Sequence, residues 1–586
     1  MREQRESNIG FRWSNWPPLR PILACATFVA LIAPATAQTP PVLPPSIEPG
    51  RIQQQFQAPA NAPPVSPPIT VQQAPPENVP PPGAEKIQLT LDNVEVQGST
   101  IYGPADLAPL IAPYLHHSIA LTDLFHLADE ITTKYRADGY ILSRAIVPAQ
   151  HIGQAARITV IEGFVSDVQF KGYESPTLKA YARHIMESKP LRADELERYL
   201  LLSNDLPGVQ AKAVLSPSPS VPGGALLTVV TEQKLVDGSL AVDDRGTKFI
   251  GPIQFYAGAG MNIPSLDSRL AARYITTPSI RELQYGELTY TQPIGSDGLR
   301  LIVYGNETHS RPGYTLSPFN VFSDGDEAML TLAYPVLRSR DHNLELRGSF
   351  DVTDLVTVVN NASGIPPSSN DHLRIFRLSV SHDLADAWDG VNLATARFSQ
   401  GANILGASAN DNRATPSRPG AQSDFTAWKG EISRQQDLHV IYPGLGFLAA
   451  AEGQISDSSS LPASEQFGLG GTQYGRAYAP SDVTADNGWA VKSELQYNPP
   501  IPAWVAEWLD TYQVYGFYER GRATRNLSSV GTGALSDAGA GIRFVLANRL
   551  VSDIEMAKPL SRDETINYGE PHARPWRLFF SVSSQF

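Results

Sequence analysis

Leu344-Glu-Leu-Arg-Gly-Ser-Phe-Asp-Val-Thr353 alternates without a break. Leu344, Leu346, Gly348, Phe350 and Val352 share one face; Glu345, Arg347, Ser349, Asp351 and Thr353 share the other. Successive side chains of a strand point to opposite faces, so this stretch is a strand with one apolar and one polar side. The pattern recurs downstream. Trp489, Val491, Leu495 and Tyr497 oppose Ala490, Lys492, Glu494 and Gln496, and the sequence closes on a stripe of Trp576, Leu578, Phe580, Val582 and Phe586. Over residues 237–586 we read sixteen such segments and no convincing long helix. One segment per about 22 residues fits a tilted membrane strand of ~9–11 residues plus a connection.

Alternation alone does not say which face meets lipid, because a soluble sandwich has the same parity with its apolar face inward. Three features favour a membrane barrel: an export leader with a cysteine-free chain after it, an aromatic residue ending the last strand, and connections that alternate long and short. The long ones are 308–326, 354–372, 401–423, 457–487, 521–537 and 559–575. Long external loops and short periplasmic turns are the habit of outer-membrane barrels. The prediction is a transmembrane β-barrel of about sixteen antiparallel strands over 237–586, with both ends on the periplasmic side.

The leader is at the start. Arg2, Arg5, Arg12 and Arg20 precede an apolar run, Ile22 to Ala33, and Ala35-Thr-Ala37 follows. A basic start, a short apolar core and an A-x-A site mark a secretory signal peptide, expected to span 1–37. The run is too short for the ~20 residues of a spanning helix. Cys25 is the single cysteine and would leave with the signal, which excludes a disulfide scaffold and a cysteine-pair zinc site. Residues 38–85 hold 15 of the 49 prolines and read as an extended linker. Its proline-free patch, Arg51 to Phe56, is compatible with a short helix; whether 48–58 plugs a barrel stays open at this point.

Two small modules lie between linker and barrel. In the first, 86–163, a strand from Ile87 to Val96 precedes helices near 104–115 and 122–137, with Thr122 as N-cap and Gly139 past the end. Strands 140–148 and 156–162 complete a β-α-α-β-β unit. The second module, 164–233, repeats the order with strand 165–172, helices 176–188 and 193–203, and strands 209–215 and 225–232, which suggests tandem homologues.

The formal charge of −13 argues against a nucleic-acid partner. Chemistry is also thin. His116 and His117 diverge at a helix end, and Asp194, Glu195 and Glu197 complement a helix dipole. There is no phosphate loop and no nucleophile elbow. Gly468-Leu-Gly-Gly471 lacks the lysine, so neither an enzyme nor a cofactor is expected.

Taken together, the chain resembles the two-partner secretion translocators of the hemolysin-activator/hemagglutinin-transporter type. Tyr135-Arg-Ala-Asp-Gly139-Tyr140 and Leu206-Pro-Gly-Val209 are similar to sequences of POTRA domains, the family's α+β periplasmic modules. Asp243-Asp-Arg-Gly246 with Gly251-Pro252 is similar to the family's first hairpin. Gly475-Arg-Ala-Tyr478 stands where the family has an Arg-Gly-aromatic loop tip, with Ala477 in place of glycine. Gly516-Phe-Tyr-Glu-Arg-Gly521 resembles the thirteenth-strand motif, with Glu519 where aspartate is commoner.

The resemblance implies a pore whose sixth loop folds inward, with Arg476 of its tip paired to Glu519. Parity places Glu519 with Gln513, Tyr515 and Phe517, away from Tyr512, Val514, Gly516 and Tyr518, hence in the lumen, since a carboxylate facing lipid is costly. The C-terminal signal would be Phe580, Val582 and Phe586. Implied partners are an unfolded secreted exoprotein, outer-membrane lipid and the barrel-assembly machinery that inserts the pore, itself monomeric. A barrel-assembly factor and a diffusion porin are the rival readings. The former usually has more modules, and the latter needs none.

Overall fold

The computed structural model describes residues 43–57, 70–71, 78–359, 368–408, 415–457, 460–526, 532–562 and 575–586. The leader reading, 1–37, lies outside the described residues. The chain enters with helix α1, Pro49–Phe56, in which Pro49 sits in the first turn, where its missing N–H costs nothing. A two-residue strand follows, β1 at Thr70–Val71.

The first module comprises β2 (Gln88–Thr90), β3 (Asn93–Gln97), α2 (Pro104–Ile111), β4 (Ser118–Ala120), α3 (Leu121–Ala137), β5 (Arg144–Ile146) and β6 (Ala155–Ile161). The single opening strand of the sequence reading is therefore two. Leu91 turns into the core at the break, so β2 pairs with β4 while β3 pairs with β6. Thr122 is not the N-cap. Ala120 holds that position, and its N–H donates to the Asp123 carboxylate at 2.8 Å. The strand expected over 140–148 shrinks to β5, because Tyr140 to Ser143 form a turn closed by a Ser143 N–H to Tyr140 carbonyl bond.

The Tyr135–Tyr140 motif now has a physical role. Tyr135 is fully buried and its hydroxyl donates to Glu162 at 2.8 Å, while Gly139 takes the left-handed conformation past the helix end (φ +92°). Glu162 also accepts the N–H groups of Thr100 and Ile101. Burial raises its carboxyl, but those donors outweigh burial and hold its pKa below the usual value. A depressed folded pKa contributes stability above the unfolded value of 4.5 that is lost as pH falls through the folded value. Glu162→Ala is expected to cost about 2 kcal/mol. The check is the first thermal transition of the full-length protein, which should fall several degrees at pH 7 and converge with wild type at strongly acid pH.

The second module is β7 (Phe164–Gly172), α4 (Pro176–Glu187), α5 (Ala193–Asn204), β8 (Val209–Pro217) and β9 (Gly224–Gln233), in sheet order β1-β8-β9-β7. The linker segment β1 thus lies parallel on the β8 edge. This module is seated on the near end of the barrel. Tyr173 donates to the Pro264 carbonyl and Asp267, Arg198 pairs with Asp297 at 3.1 Å, and Arg338 grips Asp205 with two bonds of 2.8 Å.

Sixteen strands close the barrel: β10 (Val236–Asp243), β11 (Gln254–Ile263), β12 (Ser268–Thr276), β13 (Gln284–Ile294), β14 (Leu299–Ser310), β15 (Val321–Arg338), β16 (His342–Val359), β17 (Ser368–Asp386), β18 (Gly390–Gly401), β19 (Thr426–Asp437), β20 (Leu445–Ser456), β23 (Asn487–Tyr497), β24 (Leu509–Thr524), β25 (Thr532–Leu546), β26 (Leu550–Arg562) and β27 (Arg577–Gln585). Between β20 and β23 an inner hairpin is formed by β21 (Phe467–Leu469) and β22 (Val483–Ala485). Each strand pairs antiparallel with its sequence neighbour, and β10 closes on β27. Phe586 and Gly238 exchange backbone bonds of 3.0 Å at the seam.

Strand runs into two expected loops, 308–326 and 354–372, from both sides. Asp354 pairs directly with His372, and β14, β15 and β16 run past the expected ends. The reason is inward packing: Leu355 lies against Gly50 of α1, and Val321 and Val359 share an apolar cluster with Ile47, Ile52 and Phe56. The helix is seated in the far half of the lumen, its Phe56 ring 5.1 Å from that of Tyr285.

Candidate functional site

The segment 460–486 does not project outward. Its β21–β22 hairpin folds back into the lumen, where Phe467, Leu469, Tyr474, Ala477 and Tyr478 pack with Tyr515, Phe517, Leu535 and Phe579 of the wall. The tip, Gly475 to Tyr478, is a turn closed by the Tyr478 N–H on the Gly475 carbonyl, and its left-handed residue is Gly475 (φ +97°). Ala477 is fully buried without that conformation, so the missing glycine costs nothing here.

Arg476 lies at the centre. Its Nε donates to Glu519 Oε1 at 2.7 Å, and Nη1 donates to Glu494 and to Glu555, both at 2.9 Å. The other Glu519 oxygen accepts the backbone N–H groups of Gly475 and Arg476. The guanidinium rests 3.5 Å from the centroid of Phe517, a cation–π contact with its ring face. Ala477 N–H donates to Asp537 at 2.6 Å, the Arg577 guanidinium donates to the Ala477 carbonyl, and Tyr478 Oη donates to the Ser536 carbonyl.

Strand parity explains this convergence. Glu519 is 0% exposed and Tyr515 and Phe517 are buried on the same face, while Val514 and Tyr518 on the other face are 44% and 43% exposed. Gly521 shares the inner face, where a Cβ would meet Leu469 at 2.5 Å. Gly516 lies on the outer face. Phe580 and Val582 lie on the outer face of β27, and Phe586 follows it at the near rim.

Other charges complete the inner wall. Arg543 pairs with Glu494 at 2.6 Å and Asp553 at 3.1 Å, and Arg245 of the first hairpin reaches Glu555 at 3.1 Å. Gly246 beside it is dictated by a close approach, since a Cβ would lie 2.0 Å from the Gly251 carbonyl. Sequence reading missed Glu555 and Asp537, and gave Glu494 and Arg245 no partner. Glu494 was already placed on the polar face of its strand, but alternation gives a face and not a neighbour.

The base of the inner hairpin has a second set of holds. Arg377 grips Glu465 through bonds of 3.0 and 2.9 Å, Arg418 pairs with Asp486 at 2.5 Å, and Arg51 of α1 donates to Ser481 and to the Gln466 carbonyl at 2.7 Å each. The arrangement is a mechanical one: a hairpin clamped inside a pore by buried ion pairs at its tip and at its base. Among the described residues no group of His, Cys, Asp and Glu is arranged to hold a metal ion.

A family model described as haemolysin secretion/activation protein ShlB/FhaC/HecB matches residues 225–544, and one for a ShlB-type POTRA domain matches 89–163. The heme/hemopexin transporter protein HuxB of Haemophilus influenzae is 25% identical over 484 residues, 80% of this chain and 82% of the relative. The outer membrane transporter CdiB of Escherichia coli is 23% identical over 507 residues, 81% of this chain and 80% of the relative. The solved structure of CdiB from Escherichia coli superposes with a TM-score of 0.69 at 22% identity, covering 88% of this chain and 94% of that one. That last likeness is one of fold.

Proposed function

Because this chain belongs to the haemolysin secretion/activation family of ShlB, FhaC and HecB, we propose that it is the outer-membrane half of a two-partner secretion pair, moving one exoprotein from periplasm to cell surface. The barrel is the pore, in the outer membrane, and the modules stand in the periplasm. The leader, 1–37, directs export and is removed. The modules, 86–163 and 164–233, receive the unfolded passenger. A segment added to an open sheet edge is a suitable mode, and at β8 it must displace the chain's own β1. Barrel-assembly machinery inserts the monomer, reading Phe580, Val582 and Phe586.

The observation that carries this reading is the clamped hairpin in the lumen. A diffusion porin has no use for a loop locked by Arg476 to three buried carboxylates, nor for two receiving modules. Among the described residues we find no catalytic constellation, and passage is driven by folding of the passenger outside. Deletion of the gene is expected to abolish surface release of the exoprotein encoded beside it while other barrels assemble normally. Continued release would refute the reading, and a general loss of outer-membrane barrels would transfer it to an assembly factor.

A further inference from the structure

The outer face of the barrel carries charge above its apolar belt that translocation does not use. On β24 Glu519 and Gly521 face the lumen, so Arg520 and Arg522 point outward, and both are exposed. Among the described residues, neither has a hydrogen-bond or ion-pair partner. The register sets Arg522 opposite Trp489, and Tyr518 opposite Ala538, which is in turn opposite Lys558. The Lys558 ammonium lies 5.4 Å from the centroid of Trp576. Between these cations β25 offers the small side chains of Ala534 and Ala538.

Height fixes what these groups meet. Tyr512 faces outward near the module end of β24. At ~3.3 Å per residue and a tilt of ~40°, the run from Tyr512 to Arg522 rises about 25 Å, the height of an outer-membrane apolar belt. The cations therefore lie at the far lipid–water boundary, among aromatic residues of the kind that form interfacial girdles. The opposite sector of the rim has the reverse sign. Glu307, Asp326 and Asp354 stand side by side on β14, β15 and β16, with Asp354 held by Arg374 and His372 and Glu307 by His309.

We propose that Arg520, Arg522 and Lys558, framed by Trp489, Tyr518 and Trp576, bind the phosphorylated headgroup of an outer-leaflet lipid. The proposal rests on the outer-membrane reading. It commits to lipid because the patch continues the lipid-facing belt and its charge complements a phosphate. The strand that holds the hairpin tip from inside, through Glu519, is then braced from outside.

The test is native mass spectrometry of the full chain in detergent, titrated with bis-phosphorylated lipid A or with phosphatidylcholine. Arg520→Gln/Arg522→Gln should bind lipid A about thirtyfold more weakly than wild type, the equivalent of ~1 kcal/mol per charge at ~1.4 kcal/mol per tenfold. Phosphatidylcholine should bind both alike. Equal lipid A binding would overturn the proposal, as would full displacement of lipid A by millimolar inorganic phosphate, which would mark a free-anion site. Heat-shifted mobility in electrophoresis reports whether the variant is folded. If it is not, the single variant Lys558→Gln carries the same test with a loss of about fivefold. Failure of wild type to insert into phosphatidylcholine vesicles would instead strike the outer-membrane premise.

Discussion

Arg476→Ala is expected to lower release of the exoprotein tenfold or more while the barrel still folds and inserts. The side chain lies among Glu494, Glu519 and Glu555 and is 7% exposed. Removing one partner of a buried ion pair costs about 3–5 kcal/mol, because the charge left behind has no solvent. Here three carboxylates of the wall lose their shared cation, and the tip loses the side chain that ties it to three strands. The barrel ladders do not depend on this contact, so heat-shifted mobility should be unchanged. Arg476→Lys should be intermediate, since an ammonium is a point charge and cannot match the fork that reaches three acids. The measurement is exoprotein in the medium at matched barrel levels. Wild-type release by Arg476→Ala would remove the tip from the mechanism.

Deleting residues 43–57 should open the pore. Helix α1 and the turn before it occupy the far half of the lumen through Ile47, Ile52 and Phe56, packed on Tyr285, Ile275, Leu283 and Val359. Its polar side holds the hairpin through Arg51 and Gln54. Removing it takes away a stopper and two of the hydrogen-bonding side chains that steady the hairpin base. Single-channel conductance in planar bilayers should rise by roughly an order of magnitude, as a wide barrel without a plug conducts freely. Arg51→Ala alone keeps the apolar anchor and should give brief openings. An unchanged conductance after deletion would mean that the hairpin by itself seals the lumen.

Much of the fold is written in local pattern. Alternation with a period of two is a property of neighbouring residues, and all sixteen barrel strands follow the expected order. The errors fall where burial overrides pattern. Val352 to Val359 continues as strand beyond the belt because α1 lies inside it. The opening strand of the first module breaks at Leu91 because that side chain is needed in the core.

For the site, the sequence supplied a face for Glu519 and a tip with an arginine, the first from parity and the second from family likeness. It could not supply the rest. Arg51 meets Ser481 across 430 residues, and Arg476 meets Glu555 across 79. Such pairs exist only after the sheet has closed and the hairpin has folded inward, and no spacing rule encodes them. The sequence by itself determined which residues share a face of each strand, because side-chain direction is local to a strand. The tertiary structure alone decided which lumen charges meet, because closure brings distant strands within reach of one guanidinium.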